Sequence, residues 1–591
     1  MALLSYPFNS VEILKGKRKL KKALLADGSS RVSKKIAVLG GSTTNDIVDI
    51  CELFLLDNGI DPSFYQSEYA QYWQDAMFDN EELKEFAPDV IYIHTSTCNL
   101  ERFLPSVTDS EGRCEELFEQ AKAHFAEMWS RLESTYRCPI IQNNFEQPSY
   151  RLLGNKDVAD IHGKAYFVQR MNMFVSEYAI KHRSFYVHDI NYISASYGLD
   201  KWIDPSCWYM YKYIMAIEAI PEFSYNLSNI IKSLFGKNKK AFALDMDNTL
   251  WGGIVGDDGV EGLELGTETP TAQAFTEFQS YVKKHKDIGV MLSVSSKNDH
   301  DNAIAGLKHP DSVLSPDDFL VIKANWEPKN RNIAAIASQI NIGADAIVFV
   351  DDNPAERAIV KQTLPCAVPE IGSVEQYIKV IDRAGYFEIT TLSEDDLKRN
   401  EMYKANAMRE QEMQSFGDYG EYLESLDMHA DIASFAPVYI QRIAQLTNKS
   451  NQFNVTTRRY TAEEISSIAS SNDYIALYGK LTDRFGDNGV VSVVIGKKDK
   501  NILHMDLWIM SCRVLKRDME LAMLDALVAR CKEQGICEII GYYYPTAKNG
   551  MVKELYKTFG FELVSSDESG NTVWKLNTEK YSNQNRYIKV N

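Results

Sequence analysis

Ala241-Phe242-Ala243-Leu244-Asp245-Met246-Asp247-Asn248-Thr249, followed by Leu250-Trp251-Gly252-Gly253, decides how the middle of this chain is read. An apolar run forms a buried strand whose end delivers two carboxylates two positions apart. That pairing suits phosphoryl transfer: one carboxylate attacks phosphorus and the other handles the leaving group's proton. It also concentrates negative charge, so a divalent cation such as Mg2+ is expected beside it. The same spacing also occurs in a capped turn, and the elements downstream favour the chemical reading.

Val290-Met291-Leu292-Ser293-Val294-Ser295-Ser296-Lys297-Asn298 is a second apolar strand ending in a hydroxyl. Ser296 either donates to a phosphate oxygen or caps the helix after Asp299. In Trp326-Glu327-Pro328-Lys329-Asn330, Lys329 stands at the start of a helix expected over 331–340. A point charge and free helix-end amides there favour an anion; the plain alternative is a surface lysine. Ala346-Ile347-Val348-Phe349-Val350-Asp351-Asp352-Asn353-Pro354 reads as a central parallel strand feeding a metal site, or as a capped turn before a helix near 355.

These four stretches, in this order, resemble the motifs of the haloacid dehalogenase (HAD) superfamily, over roughly 238–380. The resemblance implies Asp245 as nucleophile and Asp247 as general acid/base, with its backbone carbonyl on Mg2+. It implies Thr249, Ser296, Lys297 and Lys329 as phosphate-binding residues, and Asp245, Asp247, Asp351 and Asp352 as the metal set. Positioning and charge stabilisation are what such chemistry asks of a protein. Neither interval between the motifs is long enough for a separate cap domain. The site is therefore expected to be open to a large or protein-tethered phosphorylated substrate as well as to a small one.

With 591 residues, 45% hydrophobic and 25% charged, the chain suits several globular α/β domains. The net charge of −18, without a basic tract, makes nucleic acid an unexpected partner. Nine scattered cysteines without paired metal or redox spacing read as free thiols of a cytoplasmic protein. No run is apolar for long enough to span a membrane. A basic cluster from Lys15 to Lys22 reads as the solvated face of a helix over 11–25, within an N-terminal extension of 1–34.

Residues 35–230 alternate strand and helix and predict a parallel sheet. Ile36-Ala37-Val38-Leu39-Gly40-Gly41-Ser42 resembles the start of an SGNH hydrolase, which places a nucleophilic serine there. Ser42, Asn99 and Asp204 are the candidate site residues, but Cys207 stands where the family's histidine would follow Asp204. Ser42 therefore reads as a structural turn or binding residue, with His188, beside Asp189, as the one substitute base.

Dense charge at helical spacing marks a helical linker over 386–428, with Glu424 and Asp427 on a solvated face. Consecutive strands follow over 429–580. Asp487-Asn488-Gly489 reads as a turn, and a helix is expected over 517–534, stopped by Gly535. The strand, basic turn and helix resemble a GNAT acyltransferase, although the glycines of that family's turn are absent. The resemblance makes Arg513, Lys516, Arg517 and Asn549 candidate acyl- or pantetheine-binding residues, with coenzyme A or phosphopantetheine as ligand.

Across about 30–575 the chain resembles the FkbH-like proteins. Beside the four HAD stretches, the supporting ones are 448–454, 483–489, Ser511-Cys512-Arg513-Val514 and Lys548-Asn549. The predicted architecture is multidomain α/β: an SGNH-like parallel-sheet domain, a capless HAD Rossmann-like domain over 238–385 and a GNAT-like α+β domain. The resemblance implies polyketide or surface-polysaccharide biosynthesis. Some members load a glyceryl group from an acyl phosphate onto an acyl carrier protein through an enzyme thioester. Met246 lies between the two aspartates here, and neither Cys366 nor Cys512 is marked by the sequence as that thiol. A GNAT-type acyltransferase, a sugar acceptor and a multidomain scaffold are the alternatives.

Overall fold

Parallel pairing gives way to antiparallel pairing along this chain, as the change from strand–helix alternation to consecutive strands predicts. The computed structural model describes residues 2–450, 452–546 and 548–591. Asn451 and Ala547, which belong to two quoted C-terminal stretches, lie outside the described residues. Contacts divide the chain into two compact units, Met1–Lys237 and Asn238–Asn591.

In the first unit, β1 (Val32–Gly40), β2 (Ile60–Gln66), β3 (Val90–His94), β4 (Ile140–Asn143) and β5 (Phe185–His188) form a parallel sheet in the order β2-β1-β3-β4-β5. Strand β2 was hidden in the sequence by Pro62, which has no N–H for a ladder. It sits at the sheet edge, where that lack is tolerated. The helix Ser10–Ala26 buries Ile13, Leu20 and Leu24. Its basic face is not simply solvated, as expected: Lys17 pairs with Asp46 and Asp49, each at 2.7 Å, and Lys21 with Glu52 at 2.6 Å. All three acids belong to the helix Asn45–Asp57.

In the second unit, β6 (Ala241–Leu244), β7 (Met291–Ser296), β8 (Val321–Ala324) and β9 (Ile347–Val350) form a parallel sheet in the order β8-β7-β6-β9. β6, β7 and β9 are buried along their whole length, the pattern of strands covered on both faces. Leu244 is in register with both Val350 and Val294, so the residues that follow emerge side by side at one edge. Among the described residues no domain is inserted between Asp247 and Ser296 or between Ser296 and Lys329. Helix Pro270–Asp287 fills the first interval, and helix His300–Leu307 with β8 fills the second.

The linker helix Arg399–Met413 carries more than solvated charge. Asn400 Nδ2 donates to the carbonyls of Lys286 and Val290, while Arg409 pairs at 2.6 Å with the buried Asp483. These contacts tie the HAD-like part to a second sheet. That sheet runs β10 (Met428–Ser434), β11 (Phe453–Asn454), β12 (Tyr474–Asp483), β13 (Gly486–Asp499), β14 (Ile502–Met510), β15 (Glu538–Tyr543), β16 (Glu562–Ser566), β17 (Thr572–Asn577) and β18 (Ile588–Val590). The order is β16-β17-β15-β14-β13-β12-β10-β18, with β11 against β14. β14 and β15 pair in parallel only at Ile502–His504 with Glu538–Ile540. Beyond that, β11 bonds Met510 and Ile509, and Tyr544 N donates to Val455 O. The hairpin turn is not Asp487-Asn488-Gly489 but Arg484-Phe485, between the paired Asp483 and Gly486. Helix Met519–Glu533 ends at Gly535, φ +71°, as expected. The molecule is a multidomain α/β protein, and no described helix is long and apolar enough to cross a membrane.

Candidate active site

Side-by-side delivery by β6 and β9 brings Asp245 and Asp351 together, with Asp352 next in line. One carboxylate oxygen from each of these three lies within 4.8 Å of the others. Lys329, the first residue of helix Lys329–Gln339, is buried and reaches Asp245 at 2.9 Å and Asp351 at 2.5 Å. Burial lowers its pKa, but the two carboxylates outweigh that and leave it raised, so the ammonium stays charged. Burial, reinforced by the charge of Asp245, pushes Asp351 up to about 6. Asp352 is raised by the same causes.

Three clustered carboxylates against one lysine leave an excess of buried negative charge. Oxygen donors with that excess fit a hard divalent cation. Asp247 is absent from the cluster. Its Oδ1 accepts the Trp251 indole N–H (2.9 Å) and the Val255 N–H (3.1 Å), and its Oδ2 accepts Asn298 Nδ2 (2.9 Å). Burial comes first among the causes that raise its pKa, with Asp245 adding to it, against the Val255 and Trp251 hydrogen bonds and Lys329, which lower it. Asn248 sets the orientation: its backbone is left-handed, φ +55°, and its Oδ1 accepts the Gly253 N–H at 3.1 Å.

The expected phosphate residues separate by environment. Ser296 is buried at the end of β7, the strand paired with β6. The Thr249 hydroxyl is used inside the protein, accepting the Asp352 N–H at 3.1 Å. Lys297 is exposed and pairs with Glu356 at 2.5 Å. Three residues not singled out from sequence complete the frame. Asn298 and Trp251 hold Asp247, and Arg357 donates to the carbonyls of Asp351 (2.8 Å) and Asp352 (2.7 Å). Trp251 and Asn298 lie inside quoted motifs without a role assigned to them there, and Arg357 lies outside those motifs.

In the first unit, Ser42 and Asn99 meet at Gly41. Asn99 Nδ2 donates to Gly41 O at 3.1 Å, and a Cβ at Gly41 would lie 2.7 Å from that nitrogen. Asp204 instead caps helix Pro205–Tyr211, accepting Ser206 N–H and the Cys207 thiol at 3.2 Å. Burial and Asp204 raise the Cys207 pKa, the reverse of nucleophile activation. His188 turns to the Tyr92 hydroxyl (3.2 Å), while Asp189 caps the following helix. In the second unit's C-terminal part, Arg517 is buried against Asp483 at 3.0 Å, and Arg513 donates to Ser511 Oγ at 3.1 Å. Asn549 Nδ2 donates to the carbonyls of Asn454 and Tyr544, each at 2.9 Å. Of the four candidate acyl-binding residues only Lys516 is exposed with no ion pair among the described residues.

The FkbH N-terminal domain family model matches residues 35–232. A crystal structure of the N-terminal part of the protein BF1531 from Bacteroides fragilis, containing a phosphatase domain and complexed with Mg, is 30% identical. It covers 64% of this chain and 99% of its own, with a TM-score of 0.59. A GNAT-family acetyltransferase from Streptococcus pneumoniae covers 25% of the chain and 99% of its own at 17% identity and a TM-score of 0.22. No curated protein matches the sequence.

Proposed function

Because the chain belongs to the FkbH-like family, we propose that residues 238–385 act as a Mg2+-dependent phosphatase or phosphotransferase on a phosphorylated small molecule. The observation that carries this is the buried Asp245–Lys329–Asp351 cluster, with Asp352 beside it and Asp247 held apart. In this reading an Asp245 oxygen attacks phosphorus as the bond to the leaving oxygen breaks. Asp247 gives its proton to that oxygen. It then takes a proton from the water, or from an acceptor hydroxyl, that cleaves the aspartyl-phosphate. Its raised pKa supports the first step. Lys329 holds the phosphoryl oxygens and steadies Asp245, and Ser296 donates to the same group. The carboxylates of Asp245, Asp351 and Asp352 and the carbonyl of Asp247 would hold Mg2+, which neutralises charge on the transferring group.

The test is phosphate release from phosphosugars, phosphoglycerates and acyl phosphates, with and without chelator, beside Asp245→Asn. Release that needs Mg2+ and is lost in the variant supports the proposal. Equal release from the variant removes it. Delivery to an acyl carrier protein or a sugar acceptor in polysaccharide or polyketide assembly is the extension of this reading, checked by intact mass of protein and acceptor. Coenzyme A or phosphopantetheine at the C-terminal turn is the weaker extension, because Arg513, Arg517 and Asn549 are occupied and β11 spans the gap between β14 and β15.

A further inference from the structure

Trp326, three residues before Lys329, is 71% exposed, whereas Trp251, whose indole holds Asp247, is fully buried. Large exposed aromatics that are nonetheless held in place mark binding surfaces. Trp326 is held: its indole N–H donates to Asp299 Oδ1 at 3.0 Å, and the neighbouring Asn325 N–H donates to Ser296 O at 3.1 Å. These bonds join the segment that follows Ser296 to the segment that leads into Lys329. The indole therefore stands on the rim shared by the two phosphate-contacting segments. With its N–H spent, it has only a ring face to offer.

The second apolar rim residue is Ile254, 44% exposed, immediately before Val255, whose N–H holds Asp247. On the far side of Asp247 lies Asn298, one residue before Asp299. Asp247 is the group assigned to the leaving oxygen, so its position marks the side on which the leaving group sits. Ile254 and Trp326 flank that side. The charged groups bonded to these two residues are acids: Asp258 Oδ2 accepts the Ile254 N–H at 2.8 Å, and Asp299 Oδ1 accepts the indole N–H. Lys297, next to Asn298, is paired with Glu356. A leaving group with its own negative charge meets repulsion there, while a neutral ring with a C–H face finds an aromatic surface.

We propose that Trp326, with Ile254, is the specificity-determining platform of the phosphotransfer site, taking the neutral sugar ring of a hexose phosphate in preference to an anionic leaving group such as glycerate. This rests on the phosphatase reading of the same site. The experiment measures phosphate release from glucose 6-phosphate, glucose 1-phosphate, 3-phosphoglycerate and acetyl phosphate by the full chain with Mg2+, comparing wild type, Trp326→Ala, Trp326→Phe and Asp245→Asn. The wild type is expected to prefer a hexose phosphate to 3-phosphoglycerate. Trp326→Ala should lower its kcat/KM by about 10-fold, mostly through KM, with Trp326→Phe intermediate and acetyl phosphate within about 2-fold. Equal losses on acetyl phosphate make Trp326 structural and overturn the platform, as does an unchanged hexose phosphate KM or a preference for 3-phosphoglycerate. In all three cases the phosphatase reading stands. A wild type that releases nothing from any probe sinks both.

Discussion

Two parallel sheets in this molecule present polar residues at their carboxyl ends, and they do so in opposite ways. At the ends of β6 and β9 the groups are charged, with three acids gathered around one lysine. At the ends of β1, β3 and β5 the groups are neutral and sealed. Ser42 Oγ, His94 Nε2 and His188 Nε2 are buried with no hydrogen-bond partner among the described residues. The two imidazoles share the Tyr92 hydroxyl, at 3.3 and 3.2 Å. Burial pushes His94 to about 3, and burial together with His94 does the same to His188. Position at a strand end is thus only a place for chemistry; excess charge and a way in are what turn the place into a site.

The sharpest way to break the comparison is to exchange roles. Asp245→Asn is expected to lower Mg2+-dependent phosphate release by at least about 1000-fold, because it removes the proposed attacking oxygen. Ser42→Ala should leave that rate unchanged within about 2-fold. A large loss at Ser42 would give the first unit a share in the reaction. Next in size is Lys329→Met, expected to cost about 100-fold in kcat. It also strands Asp245 and Asp351 without their partner, a loss of about 3 kcal/mol in chelator. Added Mg2+ should recover part of that stability through binding to the folded state. Melting curves with and without Mg2+ test this, and a variant whose Tm ignores the metal would separate the acid cluster from cation binding.

The charged site was legible because its parts are local. Three of the four motifs are apolar strands with the candidate residue at or just past the strand end (Asp245 after β6, Ser296 ending β7, Asp351 after β9), and the order β8-β7-β6-β9 brings those ends to one edge. What was not legible depends on distant partners. Asp247 is held by Asn298, a bond between two quoted stretches that neither shows by itself. Arg517 looked like free positive charge until Asp483 met it from another strand. The hairpin was misplaced for a related reason. Asp483 Oδ1 accepts the Phe485 N–H at 2.9 Å, which starts the turn before the stronger-looking Asp487-Asn488-Gly489. Gly489, φ +69°, then serves inside β13, next to the register irregularity against β12.

Acid separates the two sheets by stability. Both histidines of the first unit are held below their unfolded value near 6.5, so the unfolded chain binds more protons as pH falls through that value. Stability is fully present above about 6.5 and is lost progressively below it, by about 1 kcal/mol per histidine at pH 5.5. Urea unfolding followed at pH 7.5, 6.5 and 5.5 checks the slope, with His94→Phe/His188→Phe expected to flatten it. An unchanged slope in that variant would assign the acid sensitivity elsewhere.

The smallest effect sharpens the charged site itself. Lys297 and Lys329 were both expected on the phosphate, but one is exposed and paired with Glu356 while the other is buried between the carboxylates of Asp245 and Asp351. An exposed, paired ammonium is screened by water and salt, whereas a buried one is screened much less. Lys297→Ala should therefore change kcat/KM by no more than about 3-fold, against the far larger loss at Lys329. A loss at Lys297 comparable to that at Lys329 would mean that the Glu356 pair opens when substrate arrives. The phosphate site would then extend to the outer face of the loop after β7.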